Sequence, residues 1–128
     1  MHRSHRLTIR VTYSETDGQR RVHHANYLNY FERGRVELLR SLGQSYKTFE
    51  DEGLMLVVSE MNVRYFQPAE FDDLLELETA VESARGARIR HSYRITRGEE
   101  LIVTAQSTIA CVGSDGRVKR LPASLQAG

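Results

Sequence analysis

A chain of 128 residues has room for one domain that buries roughly two-thirds of its unfolded surface, so residues 1–128 read as a single unit. With 18 Lys and Arg against 17 Asp and Glu, the formal charge of +1 excludes a global field for a polyanion, and nucleic acid is not an expected partner. The single cysteine, Cys111, excludes an intrachain disulfide and makes a cytoplasmic location the expectation, and no run approaches the roughly 20 apolar residues of a membrane span.

Met1 to Arg6 carry Arg and His with no apolar stretch after them, which argues against a signal peptide. Leu7 to Tyr13 alternates apolar and polar residues, the pattern of a half-buried strand, and stops at Ser14. From Asn26 the period becomes helical. Tyr27, Phe31, Gly34, Leu38 and Leu42 recur at three- and four-residue steps, Leu28, Tyr30 and Leu39 widen the stripe, and Gly43 ends it. So broad an apolar face predicts a helix surrounded by protein. Gly34 inside it costs about 1 kcal/mol relative to Ala, which a close approach of the sheet would explain. Glu32, Arg33, Arg35 and Glu37 read as a solvated ion-pair face.

Ser45 to Glu52 predicts one or two helical turns before Gly53. Strands are predicted over Leu54–Gln67, Leu74–Ser83, Ala87–Thr96, Leu101–Gly113 and, briefly, Arg117–Leu121. Arg85-Gly86 and Arg97-Gly98-Glu99 supply hairpin turns, and Gln67-Pro68-Ala69 breaks the first long strand. Helices first and strands afterwards indicate an α+β fold with an antiparallel sheet of five or six strands. Only a curved sheet can wrap one long apolar helix, and its open edges call for a homodimer.

Between the first strand and the helix lie Glu15-Thr16-Asp17 and Val22-His23-His24-Ala25-Asn26-Tyr27. A carboxylate beside a helix start, where unpaired N–H donors and a positive partial charge collect, suits acyl transfer. Asp17 also suits a plain turn or cap, and Glu15 and Thr16 suit shaping of the loop. His23 and His24 lack any partner at metal-ligand spacing, so no metal is expected. Asn26 and Ser59 are candidates for orienting groups near the carboxylate. His91, on an inward strand face, reads as a satisfied core histidine, and Cys111 as a small core residue. Arg85, Arg88 and Arg90 are candidates for phosphate contacts, with Arg88 and Arg90 facing outward.

The segment Tyr13 to Gly43, with its Thr-Asp, Val-His-His-Ala-Asn-Tyr and Tyr-Phe-Glu-Arg-Gly-Arg elements, resembles the hotdog-fold acyl-CoA thioesterases of the 4-hydroxybenzoyl-CoA thioesterase type. Val63 to Glu76 is similar to that family's strand, Pro-Ala turn and next strand, and Arg120-Leu121-Pro122 resembles the closing segment of its Tol-Pal-associated branch. The resemblance implies a hotdog fold, a homodimer that can pair into a tetramer, and hydrolysis of an acyl-CoA without metal or redox cofactor. It puts the catalytic carboxylate on Asp17, the backbone N–H that polarises the carbonyl on His24, and Tyr27 in the acyl pocket; His23 is a further candidate for substrate binding.

A thiol leaving group, of pKa about 8.5, departs without a dedicated acid, so one carboxylate suffices as nucleophile or as base for water. The N–H groups of His24 and Ala25 would hold the oxyanion. Where family members commonly carry glycine, this chain has Arg20 and Arg21, candidates for meeting an acidic acyl group or a phosphate. A hotdog dehydratase or other acyl-thioester enzyme, and a non-catalytic acyl-CoA-binding module, are the alternatives.

Overall fold

The computed structural model describes residues 3–126. Strand β1 covers Arg3–Arg10, and after a 3-10 turn at Tyr13–Glu15 the helices α1, Asn26–Ser41, and α2, Tyr46–Asp51, precede all the remaining strands. These are β2 Leu54–Tyr65, β3 Leu74–Arg85, β4 Arg88–Arg97 and β5 Glu100–Gly113, with a last 3-10 turn at Ala123–Leu125. All pairings are antiparallel in one five-stranded sheet of order β1-β3-β4-β5-β2, so β1 and β2 are its edges. Bulges between Val58 and Glu60, Val81 and Ser83, and Ile95 and Thr96 add the local twist that curves the sheet around the helix. This is the hotdog arrangement that the resemblance implies.

Register explains the core. Leu7, Leu77, Ile95 and Val103 stand opposite one another across four strands, a row of apolar side chains turned toward α1. Alternation sends Ile89, His91, Tyr93 and Ile95 inward, while Arg88, Arg90 and Arg94 are exposed on the other face. Gly34 is where helix and sheet meet: a Cβ there would overlap the Thr79 hydroxyl oxygen and lie 2.9 Å from Leu77 Cδ2. The predicted close approach is therefore real. One apolar cluster surrounds the start of α1, with Val22, Tyr27, Tyr30 and Phe31. A second surrounds its end, with Leu39, Phe49, Ile89 and Leu125.

Several expectations need correction. Leu28 and Leu42 are exposed, since they lie at the margins of the stripe that α1 presents to β1 and β3. Arg35 does not join a solvated ion-pair face; it is buried, and only Glu37 finds a helical partner, Arg40. Arg117–Leu121 is no strand. Val118 makes a single bridge to Val112, Arg117, Lys119 and Arg120 are exposed, and Leu121 alone is buried, its N–H bonded to the Gly86 carbonyl at the β3–β4 turn. Edge strand β2 leaves Met55, Val57 and Val58 exposed at 47%, 37% and 48%.

Candidate active site

The connection from β1 to α1 is built from its own hydrogen bonds. Thr12 N–H donates to Glu15 Oε1 at 2.8 Å, and the buried Tyr30 hydroxyl, one turn into α1, donates to the same oxygen at 2.8 Å. Burial alone would raise the Glu15 pKa, but these donors outweigh it and hold the carboxyl below its ordinary value. The Glu15 carbonyl in turn accepts from His23 N–H at 3.1 Å. Glu15 thus ties the 3-10 turn to the helix start, the loop-shaping role read from its position.

Asp17 follows at the mouth of a tight hairpin closed by the Thr16–Val22 bridge. Its N–H donates to Arg21 O at 2.8 Å, and its carbonyl accepts from Arg20 N–H at 3.0 Å. Its Oδ1 accepts from Gln19 N–H at 2.8 Å and from Arg21 N–H at 3.3 Å. Asp17 is thus the turn residue that its type allows. Because Oδ1 carries both of those bonds and the side chain is exposed, Oδ2 remains open for chemistry. The turn bends at Arg20, which sits at φ 69°, a left-handed conformation that disfavours side chains other than Gly, Asn and Asp. Phe71 N–H to Arg20 O and Val22 N–H to Ala69 O, at 3.1 and 2.8 Å, fasten the hairpin to the loop after β2.

The helix start has Ala25 at its N-cap, with no side-chain cap. The two donors expected there divide. His23 Nδ1 accepts from Ala25 N–H at 3.1 Å, so the Ala25 amide is taken and drops out as an oxyanion donor. For His24 N–H no partner is found among the described residues. His23 and His24 stack at 4.5 Å, both exposed. Asn26 Oδ1 accepts from Asn29 Nδ2 at 3.1 Å, while its Nδ2 is buried beside Glu15 and Tyr30 without a partner among the described residues.

Tyr27 is 3% exposed, walled by Tyr30 and Tyr65 at centroid distances of 5.8 and 5.5 Å, and burial pushes its hydroxyl up to about 12. Tyr65 was not anticipated. Its half-exposed hydroxyl donates to the His24 carbonyl at 3.2 Å, so the end of β2 braces the helix start. The signal was its inward register, opposite Val103, at the last residue of the strand.

Four candidates lie elsewhere in the protomer. Ser59 sits at the β2 bulge and donates to the Thr108 carbonyl at 3.1 Å, because the bulge turns it toward β5. Arg85, Arg88 and Arg90 are exposed as expected but cluster at the β3–β4 turn, which packs with the tail and the end of α1. Arg20 and Arg21 are exposed on the Asp17 hairpin, with no salt bridge among the described residues. Among the described residues no three or more His, Cys, Asp or Glu stand together as metal ligands, and no helix is long and apolar enough to cross a membrane.

The chain is similar to several known proteins. The model of the thioesterase-like superfamily matches residues 11–128. The acyl-CoA thioester hydrolase YbgC of Escherichia coli O157:H7 is 36% identical over 108 residues, 84% of this chain and 81% of that protein. The acyl-CoA thioesterase YbgC of Haemophilus influenzae is 39% identical over 105 residues, 81% of this chain and 77% of that protein. Among solved structures, a probable thioesterase from Bartonella henselae superposes with TM-score 0.88 at 37% identity, covering 93% of this chain and 99% of the other. A DHNA-CoA thioesterase from Staphylococcus aureus gives 0.88 at 28% identity, covering 92% and 80%.

Proposed function

The chain belongs to the thioesterase-like superfamily, and from that membership we propose that it hydrolyses the thioester of a small or aromatic acyl-CoA to the free acid and coenzyme A. The observation that carries the reading is the Asp17 carboxylate, one oxygen locked by its own turn and the other open, on the loop that leads into the His24 N–H, which has no partner among the described residues. His24 N–H polarises the thioester carbonyl and holds the oxyanion, with the positive end of α1 behind it. Asp17 Oδ2 either attacks the carbonyl carbon, so that the C–S bond breaks, the thiolate leaves and water then hydrolyses the acyl–Asp17 anhydride to the free acid, or takes a proton from a water that attacks the carbonyl as the C–S bond breaks and the thiolate leaves. No metal or redox group is needed. The dehydratase alternative wants a histidine paired with a carboxylate across the interface, in place of a lone Asp; the open Oδ2 of Asp17 favours the hydrolase.

A homodimer, able to pair again into a tetramer, completes the reading. The exposed apolar side chains of edge strand β2 support antiparallel pairing with a second copy. Such a two-fold carries the β3–β4 turn of one copy, with Arg85, Arg88 and Arg90, toward the helix start of the other, where the coenzyme A phosphates need cations. Tyr27, Asn26, His23 and Tyr65 form the acyl side, and a lone reduced Cys111, whose thiol burial pushes up, suits the cytoplasm.

The test follows free thiol release from a panel of acyl-CoAs by the wild type and by Asp17→Asn. Asparagine keeps an Oδ1 acceptor for the turn and removes the charge, so the fold survives while kcat falls at least roughly 100-fold. Unchanged turnover in the variant refutes the role of Asp17. Tight binding without turnover by the wild type means a binding module.

A further inference from the structure

At the end of α1 remote from Asp17, two guanidinium groups are shut inside the protein. Arg35 on α1 and Arg3 at the start of β1 are each 8% exposed. Arg35 Nη1 donates to Tyr93 Oη at 3.0 Å, an oxygen that lies 2.6 Å from Ser107 Oγ. Arg3 Nη2 donates to the Leu125 carbonyl at 3.0 Å. Among the described residues no carboxylate comes within 4.0 Å of either cation. Charges so far from water are ordinarily paired, because neutral oxygens alone offset little of the desolvation penalty.

Both arginines line a small cavity of about 20 Å³, together with His91, Tyr46, Leu38 and Leu125. His91 is 5% exposed and its Nδ1 has no hydrogen-bond partner among the described residues, so the expected satisfied core histidine is instead unsatisfied there. Burial and the charges of Arg35 and Arg3 push it down to about 3, so its ring is neutral at pH 7 and offers a single N–H donor. The Tyr46 hydroxyl lies beside Arg35. Two uncompensated cations and an uncommitted imidazole thus surround a space that holds one atom-sized occupant.

We infer that this cavity is a structural binding site for a single monatomic anion, a halide, held by Arg35 and Arg3 with His91 Nδ1–H as a further donor. A water fills the same volume but leaves both positive charges uncompensated. The site joins the end of α1 to β1, β4 and the tail, and it does not depend on the thioesterase reading.

The protein is melted in sodium gluconate and again as gluconate is exchanged for sodium chloride or bromide at constant ionic strength. The expected result is a saturable rise in Tm of at least about 3 °C, and an anomalous-scattering peak between Arg35 and Arg3 in crystals grown with bromide. Arg35→Met, which keeps the apolar stem and removes one cation, loses the halide-dependent rise. Should that variant fail to fold, the bromide peak in the wild type decides. Equal melting in both salts without an anomalous peak means water is the occupant and overturns the inference. Protection by formate but not by halides makes the cavity a carboxylate site and overturns it as well.

Discussion

Replacing Gly34 by Ala tests how closely α1 rides on the sheet. The new methyl would overlap the Thr79 hydroxyl oxygen and stand 2.9 Å from Leu77 Cδ2, where relaxed carbon contacts lie at about 3.5–4.0 Å. Thr79 and Leu77 are both fully buried, at 0% exposure, so neither can swing into solvent to make room. Alanine gains about 1 kcal/mol in helix propensity, while overpacking of this kind costs about 1–3 kcal/mol and more where backbone must move. Because the overlap faces a strand, we expect the upper end of that cost and a net loss of about 1–2 kcal/mol. Urea unfolding at one fixed protein concentration reads this as a lower midpoint with an unchanged slope. Thr79→Ala removes the obstructing oxygen, whose hydroxyl has no partner among the described residues, so Gly34→Ala costs at least about 1 kcal/mol less in that background. A stabilisation of about 1 kcal/mol by Gly34→Ala in both backgrounds would refute the close approach.

Tyr30→Phe removes a donor from the Glu15 carboxylate and is expected to cost about 1.5–3 kcal/mol in urea unfolding; a change under about 0.5 kcal/mol rejects that role. Since the folded pKa of Glu15 lies below 4.5, its stabilisation is present above that pH and is lost as the pH falls through the folded value, a loss that shrinks in Tyr30→Phe. For His91 the folded state resists a proton that the unfolded chain accepts below about pH 6.5, so in halide-free buffer stability falls with pH between 6.5 and about 3. The slope reaches up to about 1.4 kcal/mol per pH unit and flattens in His91→Gln; superimposable profiles rule this out. Replacing Arg20 and Arg21 together by Ala raises KM selectively for acyl groups carrying a second carboxylate, and an equal change for neutral acyl groups rejects recognition by those arginines.

Local patterns were legible in the sequence and distant pairings were not. The α1 stripe, the glycine turns and the inward face of β4 follow from periods of 3.6 and 2, which depend on neighbouring residues alone. Arg35 escaped because its partner hydroxyl, on Tyr93, lies 58 residues away, and an arginine in a charged run reads as solvated. Arg88 and Arg90 were assigned the right face, but how far along the sheet they lie depends on strand register. Ser59 was displaced by a bulge that leaves no mark in composition. At the candidate site the carboxylate and the helix start were visible, whereas the division between the His24 and Ala25 amides depends on the rotamer of His23.

The Asp17 turn bears on how relatives of this chain are compared. Its Oδ1 closes the hairpin through two backbone amides whether or not a substrate ever arrives. Selection for folding alone therefore suffices to retain an acceptor of that length here, and a descendant that had lost catalysis would still keep Asp or Asn. An aspartate at this position marks a well-formed hairpin before it marks an enzyme. On the proposed mechanism, the more telling record of lost activity is a drift from Asp to Asn, which the turn tolerates and that mechanism does not.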